Sequence, residues 1–206
     1  MREKNSLWFL LLAMLVFVGM GCKNECKKVD CVNGACVEGN CLCNAGWVGV
    51  HCDEVDQCYR RSCNNGYCAD GSCVCDPYWG GSNCATPVNQ LIAGNGWRLI
   101  DSSITTHLVA DYQVGIIPDQ DHVDQFVISN LYSDELTIRA YLARDNHSFS
   151  FPRQLVYVYD PSPYYDAESV QCSMSDDYRT GYIRYNVYVS GTNTLHEERI
   201  ATIMQY

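Results

Sequence analysis

Residues 26–52 read CKKVDCVNGACVEGNCLCNAGWVGVHC, and residues 58–84 read CYRRSCNNGYCADGSCVCDPYWGGSNC. The six cysteines of the first stretch recur in the second, each shifted by 32 positions, with the spacing C-x4-C-x4-C-x4-C-x-C-x8-C. Each unit has too little apolar material for a hydrophobic core, so disulfides must supply its stability. Zinc sites use CxxC pairs, which neither unit contains. The repeat therefore predicts two small disulfide-rich modules that mature in an oxidising compartment.

The repeat resembles modules similar to epidermal growth factor (EGF-like modules), in particular the compact tenascin-like type. The first unit carries the resemblance in Asn33-Gly34-x-Cys36, Cys41-Leu42-Cys43 and Gly46-Trp47-x-Gly49-x-x-Cys52, and the second in Asn65-Gly66-x-Cys68, Cys73-Val74-Cys75 and Trp79-x-Gly81-x-x-Cys84. Tyr78 replaces the glycine of the first unit. Spacing alone leaves the disulfide pairing open. The resemblance implies the pairs Cys26–Cys36, Cys31–Cys41, Cys43–Cys52, Cys58–Cys68, Cys63–Cys73 and Cys75–Cys84.

The N-terminal residues have the features of an export signal. Two basic residues, Arg2 and Lys4, precede the apolar run Leu7–Val18, which is too short to span a membrane but fits a signal peptide over residues 1–21. Cys22 follows directly and resembles the lipidation site of bacterial lipoproteins, although Gly19 stands where those usually have an aliphatic residue. Lipidation of Cys22 and plain secretion are the two alternatives. We expect the first, because the repeat accounts for every cysteine except Cys22 and Cys172.

Composition divides the chain near residue 85. Thirteen cysteines precede this point and one follows it, among many Tyr, Val and Ile residues. The predicted organisation is a lipidated N-terminus and linker at 22–25, a first module at 26–52, a second module with its linker at 53–84, a further linker at 85–96 and an all-β domain at 97–206.

Alternation of apolar and polar residues predicts an antiparallel sheet in the last domain. Leu136–Leu142 and Tyr182–Val189 alternate regularly, earlier strands are expected at 107–117 and 123–130, and 154–160 is apolar enough for a central strand. Val170, Cys172 and Met174 are expected on one face. Such a series of short strands indicates a β-sandwich or a small β-barrel. Val127–Asn130, Phe151–Val156 and Tyr182–Val189 resemble β domains of lipoproteins from Bacteroidetes-type bacteria.

The charge of the chain is acidic. Residues 86–206 contain seven Arg and no Lys against fifteen Asp and Glu, which gives a formal net charge of −8. Binding to nucleic acid requires cationic groups that neutralise phosphates, so a nucleic-acid partner is excluded. Electrostatic adhesion to an anionic membrane is disfavoured for the same reason. The expected membrane contact is through the lipid anchor only.

Two acidic segments are candidates for cation binding. Glu54, Asp56 and Gln57 precede Cys58, as in EGF-like modules that bind Ca²⁺, and Asp70 lies two residues after Cys68. The aromatic residue expected between Asp70 and Cys73 is absent, so a solvated acidic linker is the alternative. Asp119–Asp124 offers several oxygen ligands but lacks the glycine and terminal glutamate of an EF-hand, and a solvated turn is the alternative. No other cofactor is expected.

Aromatic residues of the β domain provide a candidate ligand surface, namely Trp97, Tyr157, Tyr159, Tyr164 and Tyr165. Such a group is typical of a platform for sugar rings or of a protein hot spot. The alternative is that these tyrosines fill half-buried strand faces. No catalytic residue is identified, because the sequence has no Gly-x-Ser-x-Gly, HExxH or phosphate-binding glycine motif.

These observations predict a non-enzymatic lipoprotein exported to the outer membrane or cell surface. The EGF-like modules would act as a stalk, and the β domain would serve protein interaction, adhesion or envelope structure. The first alternative is a carbohydrate-binding accessory lipoprotein that uses the aromatic group. A secreted hydrolase is the second alternative, which the missing motifs disfavour.

Overall fold

The computed structural model describes residues 25–133, 136–158 and 164–206, and the chain divides into two compact units, Met1–Arg60 and Arg61–Tyr206. The predicted signal peptide and Cys22 lie outside the described residues. No helix within the described ranges is long and apolar enough to cross a membrane. The chain is mainly β, with 55% strand and 6% helix, as predicted.

Short strands hold the disulfides of the first unit. A 3₁₀ helix, Glu25–Lys28, precedes the strands β1 (Gly34–Val37), β2 (Asn40–Cys43), β3 (Trp47–Val48) and β4 (Glu54–Val55). β1 pairs with β2 and β3 with β4, both antiparallel. The turn between β1 and β2 consists of Glu38 and Gly39, with φ of 49° and 82°. Two positive φ values define the turn type whose twist suits a tight hairpin.

The second unit begins with the same arrangement. Its strands are β5 (Gly66–Ala69), β6 (Ser72–Cys75), β7 (Trp79–Gly80) and β8 (Thr86–Pro87), followed by the one-turn helix α1 (Val88–Leu91). β8 pairs with β7, and the side chains of Val88 and Ile92 are fully buried in the same core as the large β domain. Residues 86–92 of the predicted linker thus have defined structure.

Nine strands and a 3₁₀ helix make up the rest of the second unit. They are β9 (Gly94–Ser103), β10 (Val109–Pro118), β11 (Gln125–Ser129), the 3₁₀ helix Leu131–Ser133, β12 (Thr137–Leu142), β13 (Ser148–Ser150), β14 (Gln154–Val158), β15 (Tyr164–Met174), β16 (Thr180–Val189) and β17 (Leu195–Gln205).

These strands close into a barrel. The order β13-β12-β11-β10-β9-β17-β16-β15 is completed by pairing of β13 with β15, which gives an eight-stranded antiparallel barrel. β13 pairs with the C-terminal half of β15, and β14 pairs with the N-terminal half along the same edge. Of the two predicted architectures, the barrel is the one that forms. Closure leaves the eight strands without free edges, as small barrels require.

Alternation places the apolar side chains inside the barrel. Ile138, Ala140 and Leu142 of β12 are buried between exposed neighbours, as the sequence pattern predicts. β16 contributes Ile183, Tyr185 and Val187 to the same core.

Two strand predictions are wrong in detail. Val170 does not share a face with Cys172 and Met174, because a β-bulge between Ser169 and Gln171 reverses the side-chain direction and leaves Val170 exposed. The apolar stretch that begins at Gln154 is not a central strand. β14 lies at the end of the strand order with Leu155 and Val158 exposed, because β13 occupies the position between β12 and β15.

Candidate functional site

The cysteine pairs follow the pattern that the resemblance implies. Bridges join Cys26–Cys36, Cys31–Cys41, Cys43–Cys52, Cys63–Cys73 and Cys75–Cys84, and Cys58 and Cys68 are also disulfide-bonded. Cys172 is a free thiol on β15 and is buried, and burial raises its pKa to about 12. A thiol with that pKa is almost entirely protonated at neutral pH and therefore unreactive.

The four candidate calcium ligands have identifiable local structure. Asp56 accepts a hydrogen bond from the Cys58 backbone N–H at 2.9 Å, and Glu54 lies on β4 with Gln57 exposed beyond it. Asp70 is the first residue of the β5–β6 turn at φ 47°, a conformation that Asp tolerates well. No group of three or more His, Cys, Asp or Glu residues in the described ranges is placed to hold a metal ion. Calcium binding stays a prediction.

Internal hydrogen bonds hold the acidic loop at 119–125. Asn89 of α1 is buried, and its amide nitrogen donates to the carbonyls of Asp119, His122 and Gln125 at 2.9–3.1 Å. The hydrogen bond from Arg139 lowers the pKa of Asp119, assisted by backbone N–H donors in the loop. The loop thus has its own polar partners in α1 and β12.

The aromatic candidates separate in the structure. Trp97 has no exposed surface and donates its indole N–H to the Ile92 carbonyl at 3.0 Å, so it does not contribute to a surface platform. Tyr164 is exposed, and Tyr159 lies outside the described residues. Of the candidates in the described part of the chain, Tyr157 and Tyr165 lie together, with ring centroids 5.9 Å apart.

Two further rings complete a cluster that we call the barrel-end group, consisting of Tyr132, Tyr157, Tyr165 and His196. The ring centroid of Tyr132 lies 5.9 Å from that of Tyr157 and 6.4 Å from that of Tyr165, and the ring centroids of His196 and Tyr165 lie 4.4 Å apart. The three tyrosines are half-buried against the core, and His196 is exposed. Offset and edge-on rings at these separations stabilise one another and form a preorganised aromatic surface.

A buried polar network supports this group from inside the barrel. Arg199 forms ion pairs with Asp101 and Glu197 at 3.0 Å each, although the contact to Asp101 lacks hydrogen-bond geometry. Asp101 accepts hydrogen bonds from the hydroxyls of Tyr112 and Tyr185 at 3.0 and 2.5 Å. All three charged residues are buried. Charges at such positions are stable only when they are paired and hydrogen-bonded.

The network fixes Tyr132 at both ends. Its hydroxyl donates to Glu197, its backbone N–H donates to the Tyr112 hydroxyl at 3.0 Å, and the Arg199 guanidinium lies 5.1 Å from its ring centroid. Burial and the hydrogen bond to Glu197 raise the pKa of Tyr132. Burial opposes ionisation of Glu197, but hydrogen bonds from Ser103 and Tyr132 and the charge of Arg199 together lower its pKa. Glu197 is therefore an acceptor that stays ionised at neutral pH.

Asn146 joins the second disulfide module to the barrel. It lies in the β12–β13 turn, and its side-chain oxygen accepts a hydrogen bond from the Tyr78 N–H. Its amide nitrogen donates to the carbonyls of Trp79 and Asp76 at 3.1 and 3.3 Å. Asn146 has a φ of 65°, which Asn adopts more readily than most residues. One side chain thus provides both donor and acceptor to the module.

The second module differs from the first at the positions that contact the barrel. A Cβ atom at Gly80 would lie 2.6 Å from the Leu91 side chain, and the first module has Val48 at that position. Tyr78 packs against the core at a φ of 72°, where the first module has Gly46 at 91°. A tyrosine in this conformation is strained, and its packing and its bond to Asn146 offset the cost. The sequence shows that the two repeats differ at these positions, but only the structure shows that the differing residues contact the barrel.

An open cleft of about 550 Å³ lies beside this junction. Trp79 and Gly80 of the module and Leu91 at the end of α1 line one side, and the turns before β13 and β16 line the other. We call it the junction cleft. His147 and Tyr178 stack on its barrel side, with ring centroids 5.3 Å apart and planes 10° from parallel.

No protein-family model matches the chain, and no curated protein matches it either. Six disulfides among short strands in residues 26–84 are consistent with EGF-like modules.

Proposed function

We propose that this chain is a non-enzymatic exported lipoprotein, in which tenascin-like EGF modules present a binding barrel at the cell surface. The hydrogen-bonded junction between the second module and the barrel carries the proposal. Hydrogen bonds from Asn146 and the shared core at Val88 and Ile92 join the two. A module fixed in this way holds the barrel surface in a defined orientation, which lowers the entropic cost of binding a partner there.

Cysteine pairing supports a lipid anchor at Cys22. The cysteines of the repeat are disulfide-bonded, and Cys172 is a free thiol facing the barrel core. A bridge from Cys22 to Cys172 would require this buried thiol to leave its position. Acyl chains on Cys22 would hold the protein at a membrane, since each buried CH₂ contributes about 0.8 kcal/mol.

Lipidation is tested by mass spectrometry of the N-terminal peptide from protein produced in a lipoprotein-processing bacterium. We expect the mass of a diacylglyceryl-modified Cys22, membrane-fraction recovery and release of the Cys22→Ala variant into the soluble fraction. An unmodified Cys22 peptide would refute the anchor. Protease treatment of intact cells tests surface exposure, because only a surface barrel would be accessible.

The polar network favours binding over catalysis. Asp101 and Glu197 are the buried carboxylates of the described ranges, and both are paired with Arg199 and hydrogen-bonded by tyrosine hydroxyls. A general acid or base needs a proton-transfer position next to the substrate. We therefore assign these residues to stabilisation of the barrel and to positioning of Tyr132.

Carbohydrate binding is the second candidate function, and the barrel-end group favours it. Tyr157 and Tyr165 are brought together with Tyr132 and His196, as an aromatic platform for sugar rings requires. Tyr164 and Tyr165 provide a matched pair, because consecutive residues of a strand face opposite sides. Glycan-array binding that is lost in Tyr165→Ala and kept in Tyr164→Ala would support this function. No binding by the unmodified chain would exclude the tested glycans.

Calcium binding near Cys58 is proposed as a structural aid to the first unit, since Glu54, Asp56 and Gln57 supply oxygen atoms there. A melting temperature that rises with added Ca²⁺ in the unmodified chain but not in Glu54→Gln would support it. A melting temperature that is independent of Ca²⁺ would refute it.

A further inference from the structure

The junction cleft combines carboxylates with aromatic rings. Asp145, Asp176 and Asp177 lie along its barrel side, and all three are exposed. Trp79 and Tyr178 line it and are only partly buried. Its lining residues include no Lys or Arg. The cleft therefore offers negative charge next to ring faces, in a space of about 550 Å³.

Local hydrogen bonds keep two of these carboxylates ionised and in place. Asp145 accepts from the Ser148 and His147 backbone N–H groups at 2.7 and 3.0 Å, and hydrogen bonding to Ser148 lowers its pKa. Asp177 accepts from the Ser175 hydroxyl at 2.6 Å and from the Arg179 N–H at 3.0 Å, and the bond from Ser175 lowers its pKa. Asp176 adds a further negative charge, which helps to raise the pKa of Tyr178 after the larger effect of burial.

Arginine is the side chain that best matches this combination. Its guanidinium stacks on aromatic faces and binds carboxylates through a planar set of donors, whereas the lysine ammonium is a compact and strongly hydrated charge. The net charge of −8 on residues 86–206 would steer a cationic segment toward the surface and repel a polyanion. A cleft of this size and openness accommodates a few residues of an extended segment rather than a folded domain.

We propose that the junction cleft binds an arginine-containing segment of a partner protein, with the guanidinium between the Trp79 and Tyr178 side chains and the Asp176–Asp177 carboxylates. This site deepens the proposed function, since it specifies the chemistry of a protein partner. It does not depend on the lipid anchor or on the barrel-end group.

Fluorescence anisotropy with labelled oligoarginine, oligolysine and oligoglutamate peptides tests the proposal on the purified chain. The test variant is Asp176→Asn with Asp177→Asn, in which the amide oxygen at 177 retains an acceptor for Ser175. The matched control is Asp121→Asn with Asp124→Asn, which removes the same charge from a loop whose residues do not line the cleft. Circular dichroism checks that both variants fold.

We expect oligoarginine to bind more tightly than oligolysine and oligoglutamate not to bind. The affinity for oligoarginine should fall about tenfold in the cleft variant and about twofold or less in the control, because only the cleft variant removes charges next to the bound guanidinium. Trp79→Leu should reduce the preference for arginine over lysine. Equal losses in the two double variants would overturn the proposal in favour of general attraction to an acidic surface. Absence of oligoarginine binding at low salt would also overturn it and would leave the lipid anchor unaffected.

Discussion

Replacement of Asn146 should loosen the junction between the second disulfide module and the barrel without unfolding either, because the core contacts of Val88 and Ile92 remain. Asn146 makes three hydrogen bonds to the Asp76–Trp79 segment, one as acceptor and two as donor. A typical intramolecular hydrogen bond contributes about 0.5–1.5 kcal/mol net, so their loss should cost roughly 2–4 kcal/mol. The disulfides and the barrel ladder remain, so the change is local.

Two replacements of Asn146 separate the hydrogen bonds from the backbone conformation. Asn146→Gly removes the side chain but tolerates the φ of 65°, whereas Asn146→Ala also adds about 1 kcal/mol of strain, because Ala is disfavoured at positive φ. We therefore expect Ala to destabilise the junction more than Gly. The ordering follows from the backbone conformation and is independent of the exact value of each hydrogen bond.

Hydrogen exchange of the Tyr78 backbone amide, followed by NMR, measures this effect directly. In the unmodified chain the N–H donates to Asn146, so it should exchange slowly. A cost of roughly 2–4 kcal/mol corresponds to about 30- to 1000-fold faster exchange when reclosing is fast, because the exchange rate then follows the local opening equilibrium. Exchange at β16 amides should stay unchanged. Unchanged protection of Tyr78 in Asn146→Gly would refute the assignment of Asn146 as the residue that joins module and barrel.

Three further predictions concern the barrel. Arg199→Met should lower the free energy of unfolding, measured with urea, by about 3–5 kcal/mol, because it leaves Asp101 and Glu197 buried without a cation. A decrease below about 1 kcal/mol would contradict a paired network. The pKa of Glu197 is lowered in the fold. The ionised carboxylate therefore stabilises the fold above the unfolded pKa of about 4.3, and this stabilisation is lost as pH falls through the lower folded value. In that pH range the urea midpoint of Glu197→Gln should fall less steeply than that of the unmodified chain. Burial raises the pKa of Cys172 to about 12, so the thiol should resist alkylation by iodoacetamide at mildly alkaline pH until the chain is unfolded. Rapid alkylation of the native chain, detected by mass spectrometry, would show instead that the thiol is accessible.

The regular strands could be predicted because their alternation survives in the fold. β12 and β16 bury the residues that the pattern selects. β9 gave no such signal, since its inward positions include Asp101 and Ser103 beside Trp97 and Leu99. A polar residue at an inward position breaks the alternation, and only the partners from β10, β16 and β17 make its burial stable.

The candidate ligand surface could be predicted only in part. Tyr157 and Tyr165 are neighbours because β14 pairs with β15 in a register that places them opposite each other. Tyr132 and His196 come from a 3₁₀ helix and from β17, and local sequence gives no reason to group them with that pair. Trp97 is of a residue type that aromatic ligand surfaces contain, but it lies on the inward face of β9.

The sequence by itself determined the two disulfide modules, because their cysteine spacing and turn residues act within short stretches of chain. Gly39 and Gly71 permit the tight turns, and bridged cysteines lie only 9 or 10 residues apart. Tertiary structure alone decided that the second module joins the barrel. The bond from Tyr78 to Asn146 spans 68 residues, and such contacts depend on how the closed barrel places its turns rather than on any local pattern.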